Sequence, residues 1–159
     1  MDYLKPRLYP VTILLMGVTF LPAMVPVQVD LNKQLFSAIR EADMDRMTTL
    51  VISGADVHTA KANGFTTLME AARIGDRAIV AFLLSQGIDV NAQNEAGATA
   101  LMIAAKYGHT HTIQQLLQHG ANPLLTNNYG NRAVNFASAY GRVEAHRLLL
   151  KAEQDFGKL

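Results

Sequence analysis

His109, His111 and His119 fall within eleven positions of a 159-residue chain that has only five histidines. Imidazoles so close together could hold a metal ion or pass a proton. Both roles need a defined spacing. Two ligands on one helix face want positions i and i+4 with a third ligand nearby, whereas His109 and His111 stand at i and i+2. No H-E-x-x-H, G-x-S-x-G or Walker-type glycine string accompanies them. His58 and His146 form no recognisable pairing with an acid or a nucleophile. The sequence therefore points to no catalytic residue, no metal ligand and no cofactor. A histidine-based metal carrier or enzyme using these three side chains is kept as an alternative, to be decided by metal content after dialysis.

Composition narrows the function classes further. Half of the residues are hydrophobic, which is enough for a sizeable core. Fourteen basic and thirteen acidic residues give a formal charge of +1. Such a balance offers no electrostatic reason to expect nucleic acid or an anionic surface as the main partner. Cysteine is absent, which excludes disulfides, thiolate catalysis and thiolate metal sites.

Residues 1–27 read differently from the rest. Lys5 and Arg7 precede the uncharged apolar run VTILLMGVTFL, with LPAMVPVQVD after it, in the order of an export signal. Eleven residues of helix would span about 17 Å, roughly half a bilayer core. Extending the run towards Val29 includes Pro22 and Pro26, which interrupt a helix. A cleavable signal peptide is expected, with an uncleaved inner-membrane anchor through residues 11–27 as the alternative. No Ala-x-Ala triplet marks a cleavage point; Ala23 and Val27 are tolerable positions. Removing Asp2, Lys5 and Arg7 with this segment leaves twelve charges of each sign.

The elements that must position any site follow from the glycines. Gly64, Gly97 and Gly130 are separated by 33 residues, as are Gly75, Gly108 and Gly141, and Gly54, Gly87 and Gly120. The pairs Leu83-Leu84, Leu116-Leu117 and Leu149-Leu150 recur in the same phase. Such a period marks a stacked repeat. Each unit reads as turn, helix, turn, helix, loop. In the unit opened by NGFTTLMEAARIGD, a first helix over about 67–74 carries Leu68, Ala71 and Ala72 on one face. Gly75 suits its C-terminus and Asp76 can cap a second helix over about 78–86. The string Asn94-Glu95-Ala96-Gly97 suits a tight turn at a protruding tip. Two short helices cannot bury their apolar faces alone, so the units must stack.

The strings GFTTLMEAARIGD with LLSQGIDVNA, GATALMIAAKYGH with LLQHGANPLL, and GNRAVNFASAYGR with LLLKAEQ resemble the ankyrin repeat. The resemblance covers about residues 31–153 and extends to small exported, periplasmic bacterial proteins of that family. It implies an all-α ankyrin solenoid of helix-turn-helix units with β-hairpin-like loops, filling residues 28–159. Repeats fall at about 31–62, 63–95, 96–128 and 129–153, the first and last acting as caps. The family's T-P-L-H tetrad stands here as TTLM, TALM and RAVN, without its proline and histidine. Less rigid turns are the expected consequence.

By the same resemblance the chain is a protein-binding module whose partner lies across the hairpin tips and the exposed side of the first helices. Carried over position by position, that surface comprises Asn63, Phe65, Arg73, Ile74, Glu95, Ala98, Lys106, Tyr107, Tyr129, Asn131 and Tyr140, with Arg40 and Glu41 in the first repeat. Phe65, Arg73, Ile74, Lys106, Tyr107, Tyr129 and Tyr140 are the candidate contacts, since aromatic residues and arginine dominate interface hot spots. Ile74, Tyr107 and Tyr140 could instead pack along the groove. An exported location is expected, with a host-directed effector binding host proteins as the alternative. His109 takes the family's G-H position and His119 a loop position, so both read as structural or solvated.

Overall fold

The computed structural model describes residues 30–158. Among them eight helices follow one another in four antiparallel pairs: α1 (Leu31–Arg40) with α2 (Met44–Ile52), α3 (Thr67–Ile74) with α4 (Arg77–Ser85), α5 (Ala100–Tyr107) with α6 (Thr110–Gln118), and α7 (Ala133–Ala139) with α8 (Val143–Phe156). Helices α1, α3, α5 and α7, the inner helices, stack on one another as one layer, and α4, α6 and α8 stack as a second. The expected signal segment lies outside the described residues. No helix among those described is long and apolar enough to cross a membrane.

Local chemistry sets the helix ends. Thr66 and Thr99 accept hydrogen bonds from the backbone amides of Met69 and Met102, satisfying donors that the first turns of α3 and α5 leave free. The Asp76 carboxylate accepts from both Ala78 and Ile79, so α4 begins at Arg77 rather than the expected Ala78 and ends at Ser85 rather than Gln86. Gly75 closes α3 at φ +81°, and a Cβ there would lie 2.5 Å from the His109 ring. Only glycine meets both demands without strain.

Burial follows the repeat. Ala71, Ala72, Ala104, Ala105 and Ala137 are fully buried between the inner helices, where small side chains permit close approach. Leu83, Leu116 and Leu149 fill the space between the two layers, and Ile79 and Ile113 join them. Leu84 is buried and Leu117 half-buried, but Leu150 at the same register is exposed. Helix α8 runs on to Phe156, beyond the expected repeat end at 153, and its Glu153 is bonded at 3.0 Å to Arg132 at the start of α7.

Hairpin-like turns project between the pairs. Asn94 donates to the Ala98 carbonyl and Asn127 to that of Asn131, and a bridge joins Ala60 to Thr66. The turns are tied in series without the family's histidine: the Glu95 amide donates to the Asn63 carbonyl, and the Asn128 amide to that of Ala96. Gln93 donates from one amide nitrogen to the carbonyls of Gly97 and Thr126.

Candidate partner-binding face

The exposed side of the inner helices and the adjacent turns hold a continuous set of cations and rings. Arg40, Arg73 and Lys106 occupy one register, 33 residues apart, near the C-termini of α1, α3 and α5. Ile74, Tyr107 and Tyr140 follow Arg73, Lys106 and Ala139 in the chain. Tyr107 and Tyr140 are 41% and 49% exposed, and Ile74 is half-buried. The Lys106 ammonium lies 5.8 Å from the Tyr107 ring centre and 5.1 Å from that of Tyr140, within range of a cation–π attraction to each. Lys106 therefore links the third and fourth repeats. Tyr129, at a turn tip, is 82% exposed. Phe65 is half-buried against the core, its ring 5.0 Å from the Lys61 ammonium, which also lies 4.7 Å from the Phe36 ring.

Glu70 lies beneath this surface and was not among the residues expected to matter. Its side chain is only 2% exposed, yet it carries three cationic partners: Lys61 at 2.9 Å, Arg40 at 3.4 Å and Arg73, one turn further along α3. Burial pushes the Glu70 carboxyl up, but the hydrogen bonds from Lys61 and Arg73, followed by their charges, outweigh it and hold the group below its ordinary value. The same hydrogen bond raises Arg73. Arg73, expected as a free contact, is thus partly committed to the protein's own carboxylate. A signal was present in the sequence: Glu70 stands in register with Ile103 and Phe136. An acid where sister repeats place apolar groups is an acid that needs partners.

Of the three clustered histidines, His109 is the one that joins one repeat to another. His109 reaches back one repeat and donates from Nε2 to the Arg73 carbonyl at 3.0 Å, while its ring stacks 6.0 Å from Tyr107. Arg142, in register, does the same to the Lys106 carbonyl at 3.2 Å. Both satisfy late carbonyls of the preceding inner helix. His119 donates from Nδ1 to the Gln115 carbonyl at 2.8 Å in the last turn of α6, and His111 is exposed. Among the described residues, no group of three or more His, Cys, Asp or Glu is arranged to hold a metal ion.

A family model of ankyrin repeats matches residues 35–126 and 68–158, together nearly all of the described chain. The chain belongs to the ankyrin-repeat family. No curated protein matched it in a sequence search. Ankyrin repeats are generally protein–protein interaction modules, and the four helix pairs and projecting turns of this chain are that architecture. Within the ankyrin stack, the side chains that hold repeats together, His109 and Arg142, adjoin those left open on the inner face, Tyr107 and Tyr140. Contact and scaffold are therefore neighbours in sequence.

Proposed function

We propose that this ankyrin protein is an exported scaffold that binds a partner protein through its concave face and performs no chemistry of its own. The observation that carries the reading is the open Tyr107–Lys106–Tyr140 arrangement, large rings held at the surface by a cation although the core does not use them. Rigid rings with a polar edge favour hot spots because they bury much area for little lost conformational freedom. Export rests on the order of Lys5, Arg7 and the apolar run that follows.

The test pairs capture with fractionation. Tyr107→Ala combined with Tyr140→Ala should weaken capture of a native partner, identified by mass, by at least about tenfold, or about 1.4 kcal/mol, with circular dichroism unchanged. Equal capture by the double variant would remove the site assignment. A processed N-terminus in a periplasmic fraction supports export by signal cleavage; an intact Met1 inside a host cell supports the effector reading instead.

A further inference from the structure

The concave face carries more positive charge than its own acids neutralise. Arg40, Arg73 and Lys106 present one cation per repeat in three successive repeats, and Lys61 adds a fourth from the first turn. Of the carboxylates on these helices and turns, Glu70 lies buried under three of the cations and Glu41 is bonded to Arg46 at 2.7 Å. Asp30 caps α1, and Glu95 stands at the tip of the next turn. The cations still meet water: the side chains of Arg40, Lys61 and Arg73 are 54%, 38% and 33% exposed. Lys106 forms no ion pair among the described residues. Two adjoining hollows of about 480 and 290 Å³ share Arg40 and Lys61, and Phe36 and Phe65 contribute apolar walls.

Spacing specifies the occupant. Helix α1 packs on α3 and α3 on α5, and packed helices lie about 8–10 Å apart. An extended chain in the polyproline II conformation rises about 3.1 Å per residue with three residues per turn, so every third side chain returns to the same face about 9 Å further on. We propose that the groove takes an extended acidic segment of a partner protein, with carboxylates at about every third residue facing Arg40 with Lys61, then Arg73, then Lys106. Arg73 gives one nitrogen to Glu70 and has other donors in its planar fork for an incoming carboxylate. Tyr107 and Tyr140 flank the Lys106 end and cover the segment's aliphatic parts. This inference rests on the concave-face reading and adds the chemistry of the ligand to it.

Fluorescein-labelled peptides of about twelve residues, long enough at about 3.1 Å each to cross the stack, provide the test by anisotropy with the full chain. One repeats Glu-Ser-Gly, one repeats Gln-Ser-Gly, and one has the composition of the first with its glutamates in a single block. The every-third glutamate peptide should bind at least about tenfold more tightly than the glutamine peptide and more tightly than the block peptide, and salt should weaken it. Lys106→Glu should lower its affinity at least about tenfold and Lys106→Arg should retain it, both with unchanged circular dichroism. Equal binding of the glutamine or block peptide, or indifference to Lys106→Glu, overturns the proposal. So does saturable binding to phosphatidylglycerol vesicles or a single-stranded oligonucleotide without binding to the glutamate peptide. If the Tyr107/Tyr140 double variant loses its native partner while the glutamate peptide fails to bind, the concave-face reading stands and this inference falls.

Discussion

Replacing Glu70 by glutamine keeps the shape of the side chain and removes the charge that gathers Arg40, Lys61 and Arg73. Breaking a buried ion pair by deleting one member costs about 3–5 kcal/mol when the stranded charge stays dry. Here the stranded groups are cations whose side chains are 33–54% exposed, so they regain water. Exposed pairs contribute only about 0.2–1 kcal/mol each. Three such contacts around a carboxylate that is itself buried put the loss at about 1–2 kcal/mol, read as a lower urea midpoint in far-UV circular dichroism at pH 7. The pH dependence has a definite sign. The folded carboxyl titrates below its ordinary range, and the unfolded one near 4.3, on the order of a free glutamate. Its contribution is therefore fully present above about pH 4.3 and is lost as pH falls through the folded value. The stability gap between wild type and Glu70→Gln should narrow in acid. A gap below about 0.5 kcal/mol at pH 7, within the usual range of inert surface substitutions, or a gap that widens in acid, would refute the electrostatic account of this cluster.

Two further outcomes concern the stack itself. Leu116→Ala empties a fully buried position between the helix layers and should cost about 2–5 kcal/mol in a chemical melt; a loss under about 1 kcal/mol would contradict the tightly stacked interface. Gly75→Ala and Gly87→Ala both force an L side chain to positive φ, +81° and +71°, but only the first drives a Cβ against the His109 ring. The shared backbone strain is about 1–2 kcal/mol, so Gly75→Ala should be the more damaging, and His109→Ala should relieve part of its excess by removing the ring. Equal melting midpoints for the two glycine variants would show that the ring does not press on Gly75.

The repeat and its phase were legible because they rest on short-range rules. Glycine at helix ends and apolar residues on one helical face recur every 33 residues, Asp76 stands where it can cap a helix, and each acts within a turn or two of its own position. The helix bounds over 67–74 followed directly, and those of α4 were displaced by one residue because Asp76 caps two amides at once. His109 could be placed at a helix start by register, but its bond to the Arg73 carbonyl spans 36 residues. No local pattern contains that partner.

The same limit separates the candidate contacts from what surrounds them. The sequence by itself determined the 33-residue period, the stacked helical architecture, the lack of a histidine pair at ligand spacing, and which side chains recur beside the turn glycines. Tertiary structure alone decided that Glu70 is buried under Arg40, Lys61 and Arg73, and that Lys106 stands between Tyr107 and Tyr140. It also left Leu150 uncovered where Leu84 is enclosed. Periodicity reports which face of a helix a residue occupies, but charge pairing and burial depend on distances between different repeats. Those distances exist only once the repeats have stacked.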